Sequence, residues 1–579
     1  MSAQPGPSRS TFKRYLPVLV VLAVAAIVIG VVVAVGGGDD KSNATANNSG
    51  GTVAKGPVPT YAEAQAEGKV NDYDWGPNCD TTTGRIKIPA HTAPPCVPVF
   101  KGDNGGDIDP EHGVTKDTIR IARYVAPPDP AADFLTQSVG AYDTPEQTAA
   151  TNVGFLKEFE KRVELYGRHI ELVDLPGSGN SSDEQAAQAD AEKAKELKVF
   201  AVIGGPAQTR SFAQTLANEG ILCIGSCIVA QPGQFYKDSS PYLWPGIEPD
   251  QTSALNVEFV KKQLVGKNAI WAGDPKYQNK PRTFVILSYD TPTGQFKPVW
   301  DKWRADLEAA IGSPVPQVNY YLQVATVQSD AQVIVQKLKA IDASTVIFTG
   351  DPFTPIYFTQ EATKQGYFPE WVLSGTVLAD TTVFARQFDQ QQWAHAFGMS
   401  LIPTRTPRNL GDAYQTYTEC GTQPPPPADN SQAIIFGNWN LLMTGLQLAG
   451  PHLTPENFRA GLFAAPLPPR DPGHLLPTVS YGDHGIWPDG TDYGGGDDTS
   501  LVWWDPKATG EDETGSTDKG VGQWRYMNGG ARFRPGEIPT EPMQFFNPEN
   551  TVTYFVDGPN APAGTLPVPD ALKPLPCSP

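Results

Sequence analysis

The sequence predicts an α/β protein with two lobes, each built on a doubly wound parallel sheet, preceded by one N-terminal transmembrane helix. Three observations lead to this prediction. Apolar strands alternate with amphipathic helices from Gly113 onward, the alternation starts again near residue 247, and residues 16–35 form an uncharged run of 20 residues. Alternation of strand and helix places the strands parallel in one sheet and covers both faces of that sheet with helices.

The N-terminal run is long enough to cross a bilayer as a helix. At about 1.5 Å per residue, a run of this length spans a hydrocarbon core of roughly 30 Å. Basic residues precede the run and Asp39 and Asp40 follow it, which places the N-terminus inside and the body outside the membrane. The first cysteine is Cys79, so no lipid-modified cysteine ends the run. Cleavage near residues 34–36, giving a secreted protein, is the alternative.

The composition divides the chain into segments with different roles. We predict a cytoplasmic N-terminus at 1–14, a transmembrane anchor at 15–36, a Ser/Gly/Pro-rich linker at 37–112, a first lobe at 113–246 and 405–482, a second lobe at 247–404 and 483–535, and a Pro-rich C-terminal extension at 536–579. The linker contains Cys79 and Cys96. Its acidic loop, residues 102–107, does not have the spacing of an EF-hand, so we interpret that loop as solvated.

The charge of the chain excludes some classes of partner. The formal net charge is -19 and the isoelectric point is about 4.8. Nucleic acids and anionic lipid surfaces both favour clustered Lys and Arg, so neither is expected to bind the body of the protein. We interpret the acidity as a source of solubility.

Six cysteines indicate an oxidising, extracytoplasmic compartment, although their connectivity stays open. The disulfide candidates are Cys79 with Cys96, Cys223 with Cys227, and Cys420 with Cys577. In a straight strand the middle pair would lie about 13 Å apart, so only a turn at residues 225–226 could join it. The sequence contains no zinc-ribbon or CxxC spacing, and no metal ligands are expected.

Hydrophobic periodicity defines the elements of each lobe. In the first lobe we predict strands at 118–125, 169–174, 199–203 and 221–224, and helices at 147–164, 183–197 and up to 217. In the second lobe we predict helices at 251–264, 294–311, 330–341 and 355–365, and strands at 283–288, 317–324, 345–349 and 370–373. A later helix is predicted at 439–448.

Four stretches together resemble one family. Residues 113–121, 166–172, 200–204 with 219–222, and 343–350 resemble the strand regions of branched-chain amino-acid-type substrate-binding proteins of ABC transporters. The resemblance covers roughly residues 113–470 and implies the type I periplasmic-binding-protein fold. It also implies three crossovers between the lobes, near residues 245–246, 401–404 and 483–489, and closure of the lobes around a ligand by hinge rotation.

The resemblance implies a function without catalysis or cofactor. Such a protein captures a small molecule in the cleft between its lobes and delivers it to an ABC permease, which this chain does not encode. Because the sequence contains neither GxSxG nor HExxH and its histidines are scattered, an enzyme is the less favoured alternative. A ligand sensor or adaptor, or a structural envelope protein, could use the same fold.

Ligands of open α/β sheets bind beyond the carboxyl ends of the strands. In the first lobe, the candidate ligand-binding residues are therefore Gln208, Thr209, Arg210, Ser226 and Cys227. A helix start after the turn at 204–206, together with Arg210, suits a carboxylate or another anion. In the alternative interpretation, the glycines only form the turn and Arg210 is solvated.

The second-lobe candidates follow from the same rule. They are Tyr289, Thr293, Asp351, Phe353 and Thr376. The two aromatic residues could stack on a ligand or pack at the rim, and the aspartate could bind a cation or hydroxyl or lie solvated in its loop.

Two positions depart from the pattern of amino-acid binders. Val229 stands where a hydroxyl residue is expected, and Thr376 stands at the acidic position that would pair with an α-ammonium group. Because an uncompensated ammonium in a closed cleft is costly, we predict a less polar or anionic solute rather than an ordinary amino acid.

Overall fold

The computed structural model describes residues 55–129, 133, 136–137, 140–225, 227, 230–246, 248–321, 326–375, 378–487, 492–517 and 520–575. The predicted transmembrane segment at 15–36 and the predicted cytoplasmic residues 1–14 lie outside these ranges. Within the described ranges, no helix combines the length and the hydropathy needed to cross a membrane.

Strands and helices alternate through most of the described chain. The strands are β1 Cys79–Asp80, β2 Arg85–Ile86, β3 Thr118–Val125, β4 His169–Pro176, β5 Ala201–Ile203, β6 Leu222–Ile224, β7 Leu243–Trp244, β8 Phe284–Asp290, β9 Gln317–Tyr321, β10 Thr345–Thr349, β11 Glu370–Ser374, β12 Ala396–Ser400, β13 Thr499–Asp505, β14 Gln523–Tyr526 and β15 Arg532–Phe533.

The α-helices begin with α1 Tyr61–Ala66, which precedes both lobes. The others are α2 Pro145–Glu160, α3 Glu184–Glu196, α4 Ser211–Asn218, α5 Gly233–Asp238, α6 Pro249–Phe259, α7 Pro275–Gln278, α8 Lys297–Ile311, α9 Val327–Ala340, α10 Thr354–Lys364, α11 Thr382–Ala385, α12 Gln390–Trp393, α13 Asp412–Tyr417, α14 Gln432–Ala449 and α15 Pro455–Ala464. A π-helical turn, Val260–Leu264, continues α6.

The first lobe contains a parallel sheet with strand order β4-β3-β5-β6-β7. Local sequence explains its elements. In β3, Ile119 and Ile121 are almost fully buried and lie in the core on one side of the sheet, while Ala122 lies in the core on the other. Helix α2 begins with a capping box in which Thr144 and Gln147 each satisfy a backbone N–H of the other. Strand β4 lies on one side of β3, and β5, β6 and β7 lie on the other, so the strand order reverses between β3 and β5.

The second lobe contains a mixed sheet with strand order β14-β13-β12-β11-β10-β8-β9. Strands β8 to β12 pair in parallel, whereas β13 is antiparallel to β12, and β14 and β15 are antiparallel to β13. Every residue of β10 and β11 is buried, as expected for strands covered on both faces by helices. Strand β9 lies on one side of β8 and β10 lies on the other, so the strand order of this sheet reverses between β8 and β10.

The chain passes between the two lobes three times. It leaves β7 for α6, whose Leu255 and Phe259 lie in a core of the second lobe. It returns after β12 to α13 and α14, which contribute Ala413 and Trp439 to a core of the first lobe, and it leaves α15 for β13. The exact lobe boundaries given from the sequence stay predictions.

The segment predicted as a Ser/Gly/Pro-rich linker at 37–112 is packed against the first lobe over its described residues. Residues 55–112 pack onto the first lobe, where Ile86 and Ile88 are at most 5% exposed within its core. Side chains of α14 also bind this segment, since Asn440 Nδ2 donates to the carbonyl of Thr92 at 2.9 Å and Gln447 Nε2 donates to that of Pro95 at 2.6 Å. The Pro-rich composition of this segment indicated a linker because proline interrupts regular secondary structure. The apolar residues of the segment are nevertheless buried against the lobe.

The C-terminal extension packs against the second lobe. Met543 and Phe545 lie in one of its cores and Phe555 in another. Val552 pairs with Tyr526 of β14 through backbone hydrogen bonds in both directions, at 2.8 and 3.0 Å. The Pro-rich tail therefore adds buried apolar surface to this lobe.

Candidate functional site

The parallel strands of the two sheets direct their carboxyl ends toward the same cleft. In each sheet the chain order reverses once, between β3 and β5 in the first lobe and between β8 and β10 in the second. A reversal point leaves a crevice beyond the carboxyl ends of the two flanking strands, where the connecting loops diverge. Hydrogen bonds join the loop after β5 to the loop after β8, so the crevices of the two lobes meet in one cleft.

Three hydrogen bonds cross this cleft. The phenol of Tyr289 donates to Gln208 Oε1 at 3.3 Å, and the backbone N–H of Arg210 donates to Gln295 Oε1 at 3.2 Å. Gln295 Nε2 donates in turn to the carboxylate of Glu184. The second-lobe partners are the end of β8 and the turn that follows it, so the structure is a closed form of the two lobes.

The first-lobe turn after β5 is held by its own hydrogen bonds. The backbone N–H of Gln208 donates to the carbonyl of Ser181 at 3.0 Å, and Thr209 Oγ1 accepts from the N–H of Ser211, the first residue of α4, at 3.1 Å. Gln208 and Thr209 are buried, whereas Arg210 is exposed. These bonds tie the turn to the loop before α3 and to the start of α4, and the turn carries one exposed guanidinium group.

Tyr289 forms the second-lobe side of the cleft. Its ring lies 5.9 Å from that of Tyr320 in an edge-to-face contact and 5.8 Å from that of Phe296. Burial, with the nearby carboxylates of Asp351 and Asp290, raises the pKa of the Tyr289 phenol above its ordinary value. The phenol therefore stays protonated at neutral pH and can act as a hydrogen-bond donor toward the first lobe.

Asp351 supports the cleft edge. Its Oδ1 accepts from the N–H groups of Phe353 and Thr354 at 2.8 and 2.7 Å, and its Oδ2 accepts from the hydroxyls of Tyr320 and Thr354 at 2.7 and 2.6 Å. These four bonds occupy both carboxylate oxygens and fix the start of α10. Phe353 is 4% exposed and packs edge-to-face on Phe384 in the core, so its ring is occupied by the lobe itself.

The other predicted site residues fall into different environments. Thr293 is exposed, and its Oγ1 lies 3.1 Å from Thr291 Oγ1. Cys227 is fully buried and forms a disulfide with Cys223, so its sulfur is not available to a ligand. Ser226 and Thr376 lie outside the described residues, as does Val229.

The disulfides agree with the predicted pairs where the structure describes them. Cys79 bonds to Cys96, and Cys223 bonds to Cys227, with Cα atoms 5.6 and 5.9 Å apart. The chain turns at Gly225, whose φ is +70°, and this turn is what brings the second pair together. Cys420 is disulfide-bonded as well, and Cys577, its predicted partner, lies outside the described residues.

Glu184 and Gln295 were missed by sequence reasoning. Gln295 follows Gly294 in the turn after β8, where the carboxyl-end rule had already selected Tyr289 and Thr293. Glu184 begins α3, after the carboxyl end of β4, an edge that the prediction had not included. The same rule applied to every strand of the sheet would have found both. Within the described ranges, no group of three or more potential ligands is placed to bind a metal ion.

A profile of the periplasmic binding protein family matches residues 136–482, more than half of the chain. The chain belongs to the periplasmic binding protein family. The predicted resemblance to periplasmic binding proteins is thereby confirmed, and with it the α/β fold with parallel sheets. The family also places the body in an extracytoplasmic compartment. No curated protein matches this chain.

Solved structures of other binding proteins are similar to this periplasmic binding protein at low identity. A substrate-binding protein of an ABC transporter from Aeropyrum pernix is 15% identical, with a TM-score of 0.46, over 73% of this chain and 98% of that one. A fatty acid ABC transporter substrate-binding protein from Thermomonospora curvata is 15% identical, with a TM-score of 0.46, over 74% and 96%. A leucine-binding protein from Thermotoga maritima is 11% identical, with a TM-score of 0.43, over 72% and 100%.

Proposed function

We propose that this protein captures a small solute in the cleft between its lobes and delivers it to an ABC-type importer, while its N-terminal segment anchors it in the membrane. The observation that carries the proposal is the meeting of the two strand-end crevices, joined across the cleft by Tyr289 and Gln208. A binding protein requires such a site, because each lobe then contributes half of the contacts and closure excludes water.

The cleft favours an anionic or weakly polar solute. Arg210 is exposed at the start of α4, where its guanidinium attracts an anion. Buried Gln208 and Thr209 and the protonated Tyr289 add neutral hydrogen-bonding groups. The acidic second-lobe candidate, Asp351, already has both oxygens occupied, so it supplies no free counter-charge for an ammonium group.

Thermal unfolding of the full chain, in the presence of a solute library, tests the proposal. The library contains amino acids, aromatic and aliphatic carboxylates, amides and lipid-like solutes. A solute at about a hundred times its dissociation constant adds roughly 2.7 kcal/mol to the free energy of unfolding. We expect a clear rise in Tm with one class of carboxylate, and no stabilisation by any class would contradict solute capture.

Variants decide whether the hit binds in the cleft. Arg210→Gln removes the guanidinium and is expected to weaken binding of a carboxylate at least about tenfold, which corresponds to about 1.4 kcal/mol. Arg304→Gln, in the middle of α8, is the matched control and should leave binding unchanged. Equal effects of both replacements would place the solute elsewhere. Turnover of the hit would favour the enzyme alternative, and loss of solute uptake on deleting the chain from cells tests delivery.

A further inference from the structure

Gln295 uses both ends of its carboxamide across the cleft. Its Oε1 accepts from the backbone N–H of Arg210 at 3.2 Å, and its Nε2 donates to the carboxylate of Glu184. Arg210 is the N-cap of α4 and Glu184 is the first residue of α3, so one side chain joins two helix starts of the first lobe. N–H groups at a helix start have no acceptor within their helix, which makes an acceptor from the other lobe favourable there.

The turn that carries Gln295 is fixed from within the second lobe. The carboxylate of Asp290 accepts from the N–H groups of Thr291 and Phe296, at 2.7 and 3.1 Å. The N–H of Gln295 itself donates to Thr291 Oγ1 at 3.1 Å. Phe296 is 3% exposed and lies in a core of this lobe. Because the backbone on both sides is held, presenting the side chain to the first lobe requires little further ordering.

We propose that Gln295 is a positioning residue that latches the second lobe to the first and so stabilises the closed cleft. The proposal rests on the proposed solute-binding function, because closure serves a protein that encloses a ligand. A carboxamide suits both contacts, since it accepts from an N–H with one atom and donates to a carboxylate with the other. A glutamate at the same position would keep the shape but would place two carboxylates against each other.

A charge-swap cycle in the full chain tests the latch without any solute. Spin labels on cysteines introduced at Asn218 in α4 and Ala305 in α8, both exposed, report the distance between the lobes in lipid nanodiscs. The wild type is expected to populate mainly the shorter distance. In Gln295→Glu, the ratio of open to closed protein should rise about tenfold or more, because a hydrogen bond to a charged group is replaced by repulsion.

The double variant Gln295→Glu/Glu184→Gln restores one donor and one acceptor, so it should return the distance distribution toward that of the wild type. If Gln295 acted only within the second lobe, the replacement of Glu184 in α3 of the first lobe would not restore the wild-type distances. Gln365→Glu is the matched control, because Gln365, the C-cap of α10, donates to Glu361 of the same helix at 2.9 Å, and its replacement should not open the cleft.

Each result decides the latch separately from the binding of a solute. Failure of Gln295→Glu to open the cleft, absence of rescue by the swap, or a wild type that is mainly open would each overturn the latch. If the cycle behaves as expected while no solute stabilises the protein, the latch stands and solute capture fails. Circular dichroism of every variant excludes unfolding as the cause of a changed distance.

Discussion

The replacement Glu248→Gln is expected to stabilise the protein at pH 8 and to affect its stability much less at pH 5. Glu248 lies on the first crossing between the lobes and is 6% exposed. Its Oε2 accepts from the backbone N–H of Tyr493 on the third crossing at 3.4 Å. Burial raises the pKa of Glu248 to about 7 from an ordinary value of 4.5, and the carboxylate of Asp250 adds to the shift against the Tyr493 hydrogen bond.

The sign and the size of the effect follow from this shift. A carboxyl whose pKa is higher in the folded than in the unfolded protein stabilises the fold while it is protonated in both states, and that stability is lost as the pH rises through its folded pKa. A shift of this size corresponds to about 3 kcal/mol at 1.36 kcal/mol per unit. Glutamine keeps the shape without the charge, and part of the effect is already present at pH 5, so the variant should gain about 2.5 kcal/mol over the wild type between pH 5 and pH 8.

Urea unfolding of both proteins at several pH values measures this difference. The variant must be compared with the wild type at each pH because other buried groups also titrate between pH 5 and pH 8. Burial lowers the pKa of His395, His474 and His484, which favours folding as the pH rises, and it raises the pKa of Asp497 to about 6, which acts in the opposite direction. Glu549→Gln, at an exposed glutamate, is the control. A difference that is the same at pH 5 and pH 8, or that favours the wild type at pH 8, would refute the reasoning.

Two further predictions concern the second lobe. Glu370→Gln is expected to lower the free energy of unfolding, measured by urea titration, by roughly 3–5 kcal/mol. The replacement breaks a fully buried bidentate pair and leaves the Arg282 guanidinium without its counter-charge. An effect below about 1 kcal/mol would contradict this expectation. Gly398→Ala should cost roughly 2–5 kcal/mol in thermal unfolding, because φ is +142° and the added Cβ would lie 2.3 Å from the Leu373 carbonyl oxygen. Gly366→Ala, where φ is +62° but nothing lies within 4 Å, should cost only about 1 kcal/mol, and equal losses at the two glycines would reject the packing argument.

The strands of the parallel sheets were the most predictable part of the fold. The predicted bounds of β3 and β10, 118–125 and 345–349, are those of the structure. Strand β10 is a short apolar run that is buried throughout, whereas the first half of β3 alternates polar residues with the buried Ile119 and Ile121, so local pattern and tertiary burial agree in both. Helix α14 was predicted only over 439–448 but begins at Gln432. Gly437 and Asn438 lower its helix propensity, yet the burial of neighbouring side chains in the first lobe compensates for them.

The sequence analysis did not predict the strands after residue 390, β12 to β15, because the local pattern of apolar residues does not identify them. Strand β12 contains Gly398 in place of an apolar side chain, and its antiparallel partners in β13 lie 100 to 106 residues further along the chain. Pairing over such a separation leaves no periodic signal in the sequence. Of the predicted site residues, Gln208, Arg210 and Tyr289 do take part in cross-cleft hydrogen bonds, whereas Asp351 and Phe353 are occupied within their own lobe.

The sequence by itself determined the α/β class, the two-lobed repeat, the turn at Gly225 needed to join Cys223 to Cys227, and the strand ends at which a cleft would form. These features depend on local periodicity and on turn residues, which are written in neighbouring positions. Only the tertiary structure decided that residues 55–112 pack onto the first lobe and that Gln295 reaches Glu184. Such contacts join residues far apart in the chain, and their partners are chosen by the packing of whole elements rather than by any local pattern.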